Sequence, residues 1–105
     1  MEFIETDIFT HAIQRFLTEE QYSFLQEDLM RKPLAGDLIP GGKGLRKLRW
    51  GLRGKGKRGG IRVIYYVYIP GDQIYMIYVY SKSKQTDLDP QQLKRLADYV
   101  KGGLL

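Results

Sequence analysis

The sequence contains no cysteine and only one histidine, His11, and these absences exclude several kinds of site. Without cysteine the chain has no disulfide, no thiol nucleophile and no zinc site built on thiolates. A single histidine cannot form a histidine-rich metal cluster. We therefore expect no bound metal and no cofactor, and we predict that His11 is a surface or helix-packing residue rather than a catalytic base.

Long apolar runs are also missing, because tyrosines interrupt the longest ones well short of the roughly 20 residues that a membrane span needs. The N-terminus, MEFIETDIF, opens with acidic residues and lacks the charged-then-apolar pattern of a secretory signal. The sequence therefore predicts a cytoplasmic protein that does not associate with a membrane.

Acidic residues are absent between Lys43 and Arg62, although the same stretch holds nine basic residues. The net charge of the chain is +5, whereas the rest of the chain holds eight basic and twelve acidic residues. All of the excess positive charge therefore lies in one stretch on a mildly acidic remainder. Such a local cationic segment indicates a polyanionic partner.

The first third of the chain predicts a strand and two helices. Phe3 to Glu5 suits a short strand, and Thr6 or Asp7 can cap the helix that follows. Thr18 to Gln21 has the form of a capping box that starts a second helix, and Pro33 ends it. Helical spacing of apolar residues predicts a helical hairpin with these buried positions: Phe9, Ala12, Ile13, Phe16 and Leu17, then Tyr22, Leu25 and Leu29.

The remainder predicts three strands and a last helix. Asp89, Pro90 and Gln92 form a second capping signal, and Gly102–Gly103 is expected to stop the helix. This order predicts a single α+β domain spanning residues 1–105, with helices packed on a small, mainly antiparallel sheet. The expected strands are 45–50, 61–68 and 74–80, with a glycine- and lysine-rich loop at 51–60 and a turn at 70–72.

The loop partly matches a phosphate-binding P-loop from Gly51 onward. However, Arg58 replaces the serine or threonine that would hold magnesium, and a strand follows where a helix should begin. We therefore favour contact with the phosphates of a polyanion over a nucleotide site, through Arg53, Lys55, Lys57 and Arg58. A solvated turn that only keeps the protein soluble is the alternative.

Arg62 lies in an otherwise apolar strand, directly after the loop. A guanidinium held on a rigid strand can grip one phosphate through two hydrogen bonds. The alternative is a structural salt bridge with an acidic residue. Tyrosines of the last two strands can either stack on bases or fill the core: Tyr65, Tyr66, Tyr68, Tyr75, Tyr78 and Tyr80.

Four segments, in order, carry a family resemblance that covers almost the whole chain: Gly44–Arg49, Gly54–Gly60, Arg62–Tyr66 and Tyr80–Leu88. Together they resemble the HigB branch of the RelE toxin superfamily. The resemblance implies a RelE-like fold, with an N-terminal strand, a helical hairpin, a three-stranded antiparallel meander that completes a small sheet, and a C-terminal helix.

The resemblance also implies a function. Such proteins are toxins of bacterial type II toxin–antitoxin systems, and they are ribosome-dependent, metal-independent endoribonucleases that cut messenger RNA and inhibit translation. The ribose 2′-hydroxyl attacks the neighbouring phosphate and leaves a 2′,3′-cyclic phosphate. The implied partners are messenger RNA in the A site of the 70S ribosome and a helix-turn-helix antitoxin, in an oligomeric complex.

Carried over by position, the resemblance assigns Arg62 to the phosphate. Leu88 stands in the loop where the best-studied members have a tyrosine, which leaves the general base unassigned. The catalytic candidates are Arg62, Lys55, Lys57 and Lys82. The RNA-binding candidates are Arg46, Lys47, Arg49, Arg53, Arg58 and Lys84.

Two other functions use the same residues. A non-catalytic basic module would hold ribosomal or structured RNA without cutting it, and a protein-interaction domain would present its basic face to an acidic partner. In a binding module, the affinity for RNA should fall gradually as charges are removed. In a nuclease, the cleavage rate should fall sharply when Arg62 alone is changed.

Overall fold

The computed structural model describes residues 1–52, 56–100 and 102, with only the backbone described at residues 52 and 56–59. Strands and helices follow one another in the order β1, α1, α2, β2, β3, β4, β5 and α3. Their bounds are Glu2–Glu5 (β1), Asp7–Ile13 (α1), Glu19–Arg31 (α2), Asp37–Leu38 (β2), Arg46–Leu52 (β3), Gly56–Tyr68 (β4), Gln73–Ser81 (β5) and Pro90–Tyr99 (α3). The predicted α+β class is confirmed. None of these helices, in the part of the chain described, is long and apolar enough to cross a membrane.

The helices begin where the sequence signals a cap. The Thr6 hydroxyl accepts the Phe9 backbone N–H at 3.0 Å and caps α1. Thr18 with Gln21, and Asp89 with Gln92, form complete capping boxes at α2 and α3. These side chains satisfy backbone donors that have no partner in the first turn, so the starts are set locally. α2 ends at Arg31, two residues before Pro33, and α3 ends at Tyr99, three residues before Gly102. Both C-terminal ends therefore lie close to the predicted stops.

The five strands form one mixed sheet in the order β1-β5-β4-β3-β2. β1 runs parallel to β5, and the other neighbours are antiparallel, including the predicted β3-β4-β5 meander. The sequence did not indicate β2, which has two residues and depends on pairing with β3.

The predicted loop at 51–60 is wrong in extent. β3 continues to Leu52 and β4 begins at Gly56, so only residues 53–55 lie outside the described strands. Backbone pairing between strands needs no particular side chain, and for this reason the hairpin extends past the last apolar residues. The register shifts between Trp50 and Leu52, which marks a bulged stretch at this end of the hairpin.

Apolar residues cover both faces of the sheet. On the face towards α1 and α2, the buried residues include Phe9, Leu25 and Leu29. On the other face they include Ile64, Ala97 and Val100, with α3 supplying the cover. Burial on both sides explains why residues 61–65 of β4 are all buried.

A β-bulge in β5 changes which side chains share a face. Ile64 pairs with Tyr78 and Tyr65 pairs with Met76, so Ile77 is the extra residue. As a result Tyr78 and Tyr80 lie on the α3 face together with Tyr75 and Ile77, although strict alternation would separate them.

Tyr65 is a core residue rather than a base platform. Its ring is fully buried, its hydroxyl donates to the Pro33 carbonyl at 2.8 Å, and it accepts the Gly36 N–H at 2.8 Å. Burial raises the pKa of this hydroxyl. Tyr65 thereby ties the segment after α2 to the middle of the sheet.

We expect Tyr65→Phe to lower the free energy of unfolding by about 1–3 kcal/mol, because it leaves the Gly36 N–H and the Pro33 carbonyl without partners. Urea denaturation followed by circular dichroism measures this loss. Tyr99→Phe, at an exposed tyrosine on α3, serves as the control. A loss no larger than that of the control would contradict the structural role of Tyr65.

Candidate functional site

A polar row crosses the middle of the sheet on the α3 face. Arg49, Arg62 and Tyr80 are direct partners across β3, β4 and β5. Directly opposed residues of antiparallel strands point to the same face. Lys47, two residues before Arg49, therefore shares that face and pairs with Ile64. The sheet thus brings three cations from two strands next to a tyrosine, and we call these four residues the cationic row.

Arg62 is the most unusual member of the row because it is buried without a counter-ion. Its side chain is only 4% exposed. Within the part of the chain that the structure describes, its side chain makes one hydrogen bond, from Nη1 to the Ile61 carbonyl at 3.3 Å. None of the ion pairs among the described residues involves it. The structural salt bridge considered for Arg62 is therefore absent from the described part of the chain, and most of its five N–H donors remain available to a ligand.

Tyr80 is equally buried, and among the described residues its hydroxyl has only a weak interaction with the Asp87 carboxylate, which falls short of a well-formed hydrogen bond. Burial, followed by the nearby negative charge of Asp87, raises the pKa of this hydroxyl to about 12, while the positive charge of Arg62 opposes the rise. Tyr80 therefore stays protonated at neutral pH and remains a neutral hydrogen-bond donor.

Asp87 lies over the row from the loop between β5 and α3, residues 82–89. Its Oδ1 is 3.2 Å from the Lys47 Nζ, and it also accepts the Leu88 backbone N–H at 2.8 Å. The Leu88 bond first, and Lys47 second, hold the pKa of the Asp87 carboxyl below its usual value. Asp87 is therefore a fixed negative charge beside an otherwise positive row.

The β5–α3 loop is held in place by its own hydrogen bonds. Gln85 Nε2 donates to the Asp87 carbonyl at 2.9 Å and also bonds Gln92 on α3. The Lys82 backbone N–H reaches the Gly60 carbonyl on β4 at 3.3 Å. These contacts place Asp87 over the row and keep Lys82 beside the basic end of β4.

The other predicted site residues divide into three groups. Lys82 is half-buried at the start of the loop, and Lys84 is exposed further along it. Arg46 pairs with Tyr65 and bonds the Gly36 carbonyl at 2.8 Å, so it lies on the opposite face and supports the segment after α2. The last four candidates lie outside the described side chains: Arg53, Lys55, Lys57 and Arg58.

The remaining residues near the site differ in how far the sequence indicated them. His11 is exposed, as predicted, and its Nδ1 lies 2.8 Å from the Asp7 carbonyl. Leu88 packs against the apolar cluster of the α3 face. Sequence reasoning did not single out Asp87, and it named Tyr80 only as one tyrosine among six. The bulge at Ile77, which turns Tyr80 to the side of Arg62, has no signature in the sequence.

Within residues 1–52, 56–100 and 102, no group of three or more histidine, cysteine or acidic side chains is arranged to hold a metal ion. No protein-family model matches the chain. The assignment therefore depends on the geometry of the cationic row together with the resemblance in the sequence.

Proposed function

We propose that the protein is a RelE/HigB-type toxin of a bacterial type II toxin–antitoxin system, a ribosome-dependent and metal-independent endoribonuclease that cuts messenger RNA. One observation carries the proposal: Arg62 is buried in a row of cations and has no carboxylate partner among the described residues. Burying an unpaired charge is costly, so a protein keeps such a residue where an anionic ligand completes the site.

The proposed reaction is attack of a ribose 2′-hydroxyl on the adjacent phosphate. Negative charge builds up on the phosphate oxygens during this step, and cations already in place stabilise it without reorganising. Arg62 would bind these oxygens, and Lys47 and Arg49 would hold the neighbouring backbone. Lys55, Lys57 and Lys82 are the proposed carriers of protons at the attacking and leaving oxygens.

The proposal also covers the fold family, the cellular location and the partners of the protein. We propose that the mixed sheet with its three helices is a RelE-like domain acting in the cytoplasm. Its substrate would be messenger RNA in the ribosomal A site. Its inhibitor would be a helix-turn-helix antitoxin in an oligomeric complex. The net charge of +5 favours association with both ribosomal RNA and an acidic partner.

The proposal is tested by adding the purified protein to a reconstituted translation system and mapping the messenger by primer extension. We expect cuts only in ribosome-bound messenger. The new downstream ends should carry a 5′-hydroxyl, so that polynucleotide kinase labels them without prior phosphatase treatment. Intact messenger, with the protein still bound to ribosomes, would instead identify a non-catalytic RNA-binding module.

A further inference from the structure

Two buried hydrogen-bond donors lie side by side on β4 and β5 with almost no acceptor. Arg62 and Tyr80 are direct partners across the two strands, and each is 4% exposed. Among the described residues, the guanidinium has a single long bond, to the Ile61 carbonyl, and the hydroxyl has only a weak interaction with the Asp87 carboxylate. Buried polar groups are normally well paired, so two adjacent donors without well-placed acceptors indicate a place for an anion.

Asp87 supplies the negative charge that acts most strongly on Tyr80. Its carboxylate is 65% exposed and contacts Lys47, which is 30% exposed. It is therefore open to solvent on one side and faces the cationic row on the other. A carboxylate and a phosphate present the same kind of oxygen acceptor to these donors. The position of Asp87 is one that a phosphate could take over.

We propose that the Tyr80 hydroxyl and the Arg62 guanidinium together bind one phosphate group of the RNA, and that this phosphate displaces the carboxylate of Asp87. The inference depends on the proposed function for the identity of the ligand. It adds two residues, Tyr80 and Asp87, to which the sequence resemblance gives no role. Tyr80 would donate to one phosphate oxygen, and Arg62 would donate to the others.

Phosphate binding and simple core packing by Tyr80 predict different results for Tyr80→Phe. The change removes one oxygen and keeps the ring. Because the buried hydroxyl has no well-formed hydrogen bond among the described residues, its loss should raise the melting temperature in either case. Only the phosphate-binding role predicts that this more stable variant also binds phosphate more weakly than the wild type.

The first measurement is a titration of the purified protein with inorganic phosphate, followed by NMR of the arginine Nε–H groups. We expect the dissociation constant to rise about tenfold in Tyr80→Phe, which is the effect of losing one hydrogen bond to a charged group. Tyr78→Phe, at a half-buried tyrosine on the same face, should bind like the wild type. Equal affinity of Tyr80→Phe and the wild type would overturn the inference.

Asp87→Asn should act in the opposite direction. It removes the competing charge, so we expect phosphate to bind several-fold more tightly. Asp98→Asn removes an exposed carboxylate of equal charge from α3 and shows the effect of net charge alone. If Asp87→Asn improved binding no more than Asp98→Asn, the displacement of Asp87 would be refuted.

The cleavage assay separates this inference from the proposed function. Tyr80→Phe should lower the cleavage rate by about 10-fold to 100-fold. A wild-type protein that binds phosphate through Tyr80 but leaves messenger intact would support the inference and overturn the proposed nuclease. A wild-type nuclease that Tyr80→Phe leaves unchanged in both rate and phosphate affinity would overturn the inference alone.

Discussion

Replacing Arg62 with alanine should reduce cleavage of ribosome-bound messenger by about 100-fold or more. The guanidinium is the one buried cation of the row that lacks a counter-ion among the described residues, so its donors are free to meet charge that develops on the phosphate. The cleavage rate under single-turnover conditions measures this loss. Ribosome binding should fall much less, because the variant keeps Lys47, Arg49 and the other basic residues between Lys43 and Arg58.

Two further variants sharpen this expectation. Arg62→Lys keeps the charge but loses the planar fork of donors, so we expect it to restore only part of the rate. Arg95→Ala removes an exposed arginine of α3 and changes the net charge by the same amount. Cleavage by Arg62→Ala at the rate of Arg95→Ala would show that Arg62 acts through net charge and would refute its place at the phosphate.

Gly60→Ala should destabilise the domain by about 3 kcal/mol. A methyl group at this buried glycine would lie 3.1 Å from the carbonyl carbon of Trp50, 3.2 Å from the Cα of Gly51, and closer still to the Trp50 oxygen. All three are backbone atoms of β3, so no side-chain rotation relieves the clash. Urea denaturation of the variant measures the loss.

The same substitution should also disturb the site. Gly60 precedes Arg62 by two residues, and its carbonyl holds the backbone of Lys82 at the start of the β5–α3 loop. Gly102→Ala is the matched control, because a methyl group there meets no atom of the described residues within 4 Å. Stability and cleavage of Gly60→Ala equal to those of Gly102→Ala would mean that the β3–β4 hairpin adjusts without cost.

Local signals explain most of what could be predicted of the fold. The capping residues Thr6, Thr18 and Asp89 satisfy backbone donors within their own helix turn, so each helix start can be read from adjacent residues. The strand at 61–68 follows from its β-branched and aromatic residues. By contrast, the short β2 and the extension of the β3–β4 hairpin depend on pairing with a distant strand.

The candidate site was predicted only in part, for the same physical reason. Residue type and spacing were enough to choose Arg62, Lys47 and Arg49, because the sequence shows which positions of a predicted strand carry a cation. Arg46 could not be set apart from them, although the register turns it to the other face, where it bonds the backbone at Gly36.

By itself, the sequence determined the α+β class, the helix starts and the concentration of positive charge between Lys43 and Arg62, since each depends on neighbouring residues or on composition. Only the tertiary structure decided which polar groups meet. The bulge at Ile77 turns Tyr80 towards Arg62, and the β5–α3 loop carries Asp87 to Lys47, 40 residues away in the chain. Such side-chain contacts depend on the strand register and on the path of the loop. Both are set by packing of the whole domain rather than by any local sequence pattern.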